Sequence, residues 1–184
     1  WHYARRYWYA PDRGIDAILN GNRRYRRYRA RIEACLRELG FDLAKTEIVP
    51  VEHHLAHASS AYHCSGFQEK TAILGIDGKG EYATTFFGIG ENGRIRKIKE
   101  FYDPDSLGGL YGALTEYLGF EMLDGEYKVM GMAPYGDPTR YDFSRLAKFE
   151  NGELIVNTDY ANVIGFRRYK EKGKGYYFSP KLID

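Results

Sequence analysis

The chain has 184 residues, 43% of them hydrophobic, and a formal net charge of +2. That length holds one sizeable domain or a domain with an appendage, and no apolar run approaches the ~20 residues a membrane helix needs. Two cysteines, Cys35 and Cys64, with no CxxC pair, argue against a disulfide scaffold or a cysteine zinc site and fit a reducing cytoplasm.

The opening Trp1-His2-Tyr3-Ala4-Arg5-Arg6 carries no apolar stretch of signal-peptide type and no initiator methionine, so the expectation is a cytoplasmic piece of a longer protein. Residues 1–31 hold nine arginines against Asp12 and Asp16, a local balance of +7 that leaves −5 for the remainder. Residues 1–22, broken by Pro11, Gly14 and Gly21, read as an irregular loop or lid. A helix is expected from Arg23 to Leu39, with Ile32, Cys35, Leu36 and Leu39 as its apolar stripe and Gly40 as its stop. The block Arg23-Arg24-Tyr25-Arg26-Arg27-Tyr28-Arg29 has two readings, a nucleic-acid grip through phosphate pairing and stacking, or a solvated basic helix face. Residues 1–45 thus form a basic, aromatic N-terminal segment, and 46–184 the main domain.

Glu47–Val49 reads as a short buried strand leading into Val51-Glu52-His53-His54-Leu55-Ala56-His57-Ala58-Ser59-Ser60-Ala61. Pro50 precedes this run, alanines fill it and no glycine interrupts it before Gly66, so it is expected to be helical. His53 and His57 then share a face one turn apart, the spacing with which two imidazoles hold one metal ion. His54 stands where a metalloprotease HExxH motif has its glutamate, which disfavours a protease. His63 has no such company and reads as structural or exposed.

Thr71–Asp77 is an apolar strand that runs into Asp77-Gly78-Lys79-Gly80-Glu81. Glycines after a strand let backbone N–H groups approach a phosphate, and Asp77 offers an oxygen to a cation; a plain turn explains the same residues. Tyr82–Gly90 and Ile95–Phe101 read as antiparallel neighbours joined by Glu91-Asn92-Gly93, with Thr84-Thr85 as ligand contacts or strand filler. Asp105 or Ser106 caps a helix carrying Leu107, Leu110, Tyr111, Leu114 and Leu118 on one face, closed by Gly119.

Gly125-Glu126-Tyr127-Lys128-Val129-Met130-Gly131-Met132-Ala133-Pro134-Tyr135-Gly136 reads either as a ligand-contacting loop, with Lys128 suited to a phosphate or carbamoyl oxygen, or as a structured turn with Met130 and Met132 in the core. A helix is expected over Tyr141–Ala147 and a short strand over Leu154–Val156, while the tail after Gly165 is basic, aromatic and poorly periodic. Strands mixed with helices, an antiparallel pair among them, indicate an α/β or α+β layered sheet.

Glu52 to Ala61, Asp77 to Glu81, Ser106-Leu107-Gly108 through Gly119-Phe120, and Gly125 to Gly136 stand in the order found in the NodU/CmcH family of O-carbamoyltransferases, which the chain resembles over roughly Val49 to Asp137. The resemblance implies an α/β fold: part of an actin-like, ribonuclease H-like ATPase domain, a mixed sheet with flanking helices. It implies carbamoyl transfer from carbamoyl phosphate, through a carbamoyl-adenylate made with ATP, to a hydroxyl of a small molecule or saccharide. His53, His57 and Asp77 would ligate a divalent metal, Fe2+ first among the candidates, with Mg2+ accompanying the ATP. Gly78, Lys79 and Gly80 would lie along the nucleotide phosphates, and Glu126, Gly131 and Gly136 would border the nucleotide or acceptor.

His54 would take the acceptor proton and Lys128 would assist catalysis. The family's first phosphate-binding strand, the later half of its ATPase-like domain and its YrdC-like domain have no counterpart here, so the chain alone is expected to be inactive. The related alternative is a carbamoyl or threonylcarbamoyl transferase acting on tRNA or protein. The alternative of another class is a nucleic-acid-binding module on the arginine–tyrosine block, which the resemblance disfavours; a membrane partner is not expected.

Overall fold

A computed structural model describes residues 11–161, 169–171 and 174–183. The chain divides into two compact units, residues 1–50 and 51–184. In the first, helix α1 runs Pro11–Glu38. The irregular loop expected over residues 1–22 is therefore helical from Pro11 onward, and its first ten residues lie outside the described ones. Pro11 opens the helix because the first turn needs no N–H from it, and so it acts as a start rather than a break.

The stop at Gly40 has the expected geometry: Gly40 adopts φ +88°, its N–H donates to the Arg37 carbonyl at 3.0 Å, and Phe41 N–H reaches back to Leu36 at 2.9 Å. Arg23, Arg24, Arg26, Arg27 and Arg29 are exposed, with Arg24 paired to Asp16 at 2.5 Å and Arg29 to Glu33 at 3.0 Å. Residues 47–49 are not a strand, since they have no ladder partner.

The second unit is layered. Helix α2 (His53–Cys64) is followed by β1 (Thr71–Ile76), β2 (Ala83–Glu91) and β3 (Arg94–Tyr102), which form one antiparallel sheet in the order β1-β2-β3. Asn92 and Gly93, at φ 52° and 70°, make the left-handed two-residue turn that an Asn-Gly pair allows between strands. Side chains alternate across the sheet. Phe86 and Ile73 pack with Ala58 and Tyr62 of α2 on one face.

Phe87 and Phe101 face the other side, where helix α3 (Leu107–Tyr117) brings Leu110 and Ala113. Leu146, Leu154 and Val156 complete that second core. The last two come from β5 (Glu153–Val156), paired with β4 (Ala147–Glu150). Asn151 and Gly152, again at positive φ, form this second hairpin turn. The helix expected over Tyr141–Ala147 is reduced to a 3-10 turn, Phe143–Arg145.

Every strand pair among the described residues is antiparallel, including β6 (Tyr169–Glu171) with β7 (Lys174–Tyr176), so the mixed sheet is not seen in this segment. No described helix is long and apolar enough to cross a membrane.

Between α2 and the sheet lies a charged knot. Lys97 Nζ reaches Glu52 at 2.6 Å and the nearly buried Glu100 at 2.8 Å. Burial works against the Lys97 charge, but the two carboxylates outweigh it and hold the ammonium above its ordinary range. The Lys97 ammonium in turn draws the Glu52 carboxyl below its ordinary range. Replacing Lys97 by methionine leaves Glu100 buried without its cation and is expected to cost about 3 kcal/mol. Urea unfolding of the variant checks this.

Candidate metal centre

Helix α2 begins without help from its own N-cap: Glu52 makes no side-chain cap bond, its carboxylate being held by Lys97. Because α2 is regular, His53 and His57 project from one face, and their Nε2 atoms stand 3.1 Å apart. Asp77, just beyond the end of β1, brings Oδ2 to 2.6 Å from His53 Nε2. Burial opposes ionisation of Asp77, yet hydrogen bonds from His53 and from the Gly78 N–H outweigh it and hold the carboxyl below its ordinary range. The carboxylate is therefore ionised at neutral pH and offers a charged oxygen beside two imidazoles.

The donor set fits a divalent transition metal. Two imidazole nitrogens about 2.1 Å from one tetrahedral or octahedral ion are separated by about 3.0–3.4 Å, which brackets the spacing of His53 and His57. Two nitrogens and one oxygen suit zinc, iron and their neighbours better than magnesium or calcium. A cleft of about 420 Å3, lined by Val51, His53, Ala56, His57, Ser60 and Glu81, opens beside the pair.

His54, on the same turn of the helix, is buried. It is 2% exposed, beneath the loop, and neither ring nitrogen has a hydrogen-bond partner. Burial first, then the neighbouring His53, lowers its pKa and keeps it neutral. One donor atom each of His53, His54 and Asp77 lies within 4.8 Å of the others, so the buried His54 belongs to the donor cluster, while His57 joins it through His53. A base that takes an acceptor proton must reach the substrate within hydrogen-bond distance, and His54 is enclosed in this structure. His63 is exposed, at the far end of the helix.

The turn after β1 is closed on itself in this structure. Gly78 N–H donates to the Asp77 side chain at 2.6 Å, and Gly80 N–H donates to the Ala83 carbonyl at 2.8 Å. Lys79 is ion-paired with the nearly buried Asp103. The donors expected to line a nucleotide phosphate thus have protein partners.

The Gly125–Gly136 segment is a separate element: helix α4 (Glu126–Met132) and the 3-10 turn Ala133–Tyr135, with α4 against α3. Glu126 accepts from the N–H groups of Leu123 at 2.9 Å and Gly125 at 3.2 Å, closing the loop before α4. Lys128 is exposed, its Nζ over the rings of Phe120 and Tyr127. Gly131 has open space around it, and Gly136 is extended. Met130 and Met132 are 67% and 51% exposed, so they are not core residues. The structure therefore places Asp77 and His57 each beside His53, with His54 in the same donor cluster and Gly80 packed on it, and leaves Glu126, Lys128, Gly131 and Gly136 on α4 and the turn after it.

Three residues support the turn after β1 through contacts that the sequence does not reveal. Ser106 caps α3 by accepting from Gly109 N–H at 2.9 Å and donates to the Gly78 carbonyl at 2.7 Å. Gly108 packs so closely on the Asp77–Gly78 peptide that a Cβ would meet its atoms at 2.6 Å. Glu81 accepts from the His53 backbone N–H at 3.0 and 3.3 Å. Ser106 and Gly108 lie in a recognisable motif, but nothing in their local sequence points to the turn after β1.

An aspartate at a strand end faces a two-histidine helix, and a second helix presses on the strand's terminal peptide. Residues 15–174 match the family model described as carbamoyltransferase N-terminus, and the chain belongs to that family. It is 46% identical over 150 residues to nodulation protein NolNO of Sinorhizobium fredii, covering 80% of this chain and 22% of that protein. It is 44% identical over 137 residues to nodulation protein NolO of Bradyrhizobium diazoefficiens, covering 73% and 25%. An uncharacterized Synechocystis protein is also 44% identical, over 71% of this chain and 22% of its own length. The chain thus spans a quarter or less of these relatives.

Proposed function

We propose that this chain supplies the two-histidine arm of a metal- and ATP-dependent O-carbamoyltransferase. The observation that carries the reading is the placing of Asp77 and His57 each against His53 within a chain of the carbamoyltransferase N-terminus family. The donor would be carbamoyl phosphate, activated with ATP and Mg2+ to a carbamoyl-adenylate, and the acceptor a hydroxyl of a small molecule or saccharide. A divalent ion, Fe2+ first among the candidates, would act there as a Lewis acid on carbamoyl or phosphoryl oxygens.

The protein's own residues do the positioning. His53 and His57 present Nε2 from a rigid helix, Asp77 supplies the compensating charge, and the cleft beside them leaves room for a reacting group. The antiparallel β1–β3 sheet with α2 on one face and α3 on the other supports an actin-like, partial ATPase domain. A YrdC-like domain and the later half of the ATPase-like domain would complete the site from the rest of the polypeptide. Lys79, held by Asp103, would offer its remaining N–H donors to a nucleotide phosphate, and Lys128, Glu126, Gly131 and Gly136 would border the nucleotide or acceptor from α4 and the turn after it.

The test is carbamoyl transfer from labelled carbamoyl phosphate with ATP and a saccharide acceptor. The long polypeptide should transfer the label, its His57→Ala variant should not, and these 184 residues alone should be inactive. Full turnover by the 184 residues alone overturns the incomplete-site reading.

A further inference from the structure

The turn after β1 wraps the first turn of α2 at three successive points. Asp77 meets the His53 ring at 2.6 Å. Gly80 lies against the two histidines so tightly that a Cβ there would stand 3.1 Å from His54 Nδ1 and 3.3 Å from His53 Cβ. Glu81 then places its carboxylate over the start of the helix, taking the His53 N–H on both oxygens, at 3.0 and 3.3 Å.

A helix start has backbone N–H groups with no intrahelical partner, and its dipole favours a negative charge there. The residue placed to serve as N-cap, Glu52, is extended at φ −62° and ψ 136° but makes no side-chain cap. Its carboxylate is drawn toward Lys97 instead. The cap arrives from 28 residues downstream, on the same short turn that carries Asp77.

We infer that Glu81 is the positioning residue of the metal centre, locking the backbone of His53 to the turn that holds Asp77 so that the two arms keep one relative geometry. The inference rests on the reading of His53, His57 and Asp77 as ligands. Without the cap, the His53 amide is released, and the turn keeps to α2 the packing of Gly80 and the Asp77–His53 side-chain contact, which a bound metal would replace. Glu81 does not need to touch the ion: it acts through the His53 main chain, where outer partners of metal ligands more commonly act through the ring N–H.

The experiment uses the long polypeptide and Co2+ as the probe. Glu81→Ala is expected to weaken Co2+ binding by about 10- to 100-fold and to change the visible d–d bands of bound Co2+. Glu81→Gln keeps an acceptor oxygen for the His53 N–H and should bind within about fivefold of the parent, the charge–dipole share of the cap being small. In the metal-free protein, the ring 15N shifts of His53 should move in Glu81→Ala and stay in Glu81→Gln.

An Ala variant that melts earlier but keeps both its Co2+ affinity and its His53 ring shifts overturns the inference and makes Glu81 an ordinary cap. A Gln variant as poor as Ala overturns it too. If the parent protein itself fails to bind Co2+, the reading of the centre falls, while the ring shifts still decide whether Glu81 positions His53.

Discussion

His53→Ala is expected to lower the affinity for a divalent transition metal by at least about 100-fold, more than the loss of an outer partner such as Glu81. His53 is the hinge of the cluster: its Nε2 lies 2.6 Å from Asp77 and 3.1 Å from His57, so its removal leaves the other two donors without their common neighbour. The side chain is 40% exposed, and its truncation should leave the fold within about 1 kcal/mol of the parent. Titration calorimetry with Co2+ separates the two quantities when paired with urea unfolding. His57→Ala should weaken the metal as well. Unchanged affinity in both variants would mean that the histidines meet for packing and not for a ligand.

Gly108→Ala should destabilise the domain by about 2 kcal/mol, against the direction that helix propensity alone predicts. Alanine in place of a helical glycine ordinarily gains about 1 kcal/mol. Here the new Cβ would meet Asp77 C and O and Gly78 N at 2.6 Å, and those are backbone atoms that cannot rotate away. Either α3 backs off the sheet or the Asp77 peptide moves, and the second outcome drags the carboxylate from His53.

Thermal unfolding together with Co2+ affinity therefore should fall in one variant. Gly131→Ala is the control: nothing stands within 4 Å of the added carbon, and α4 should gain about 0.5–1 kcal/mol. A stabilised Gly108→Ala would show that α3 does not press on the turn as the structure has it.

What could be read along the chain follows from interactions of short range. The period of small and apolar residues after Pro50 sets α2, and the helical repeat puts His53 and His57 on one face whatever surrounds them. The Asn92-Gly93 turn fixes the β2–β3 hairpin by its own dihedral preferences, and Ser106 caps α3 from three residues away. Asn151-Gly152 carries the same hairpin signal, which assigns Ala147 to a strand and not to the end of a helix. Pro11 was legible too, as a first-turn proline and not as a break.

Family resemblance supplied the link between Asp77 and the histidines, which spacing alone leaves open. That Asp77 actually lies 2.6 Å from His53 depends on the antiparallel pairing of β1 with β2 and on α2 packing Ala58 and Tyr62 onto that sheet. The same packing buries His54, whose neighbours in sequence say nothing of the sheet beneath it. It also hands the cap of α2 to Glu81 and ties Lys79 to Asp103. Local periodicity therefore chose the elements and paired the two histidines. The approach of Asp77, the enclosure of His54 and the hold of Glu81 were decided by long-range burial, because the free energy that sets them comes from surfaces that meet only after the chain has folded.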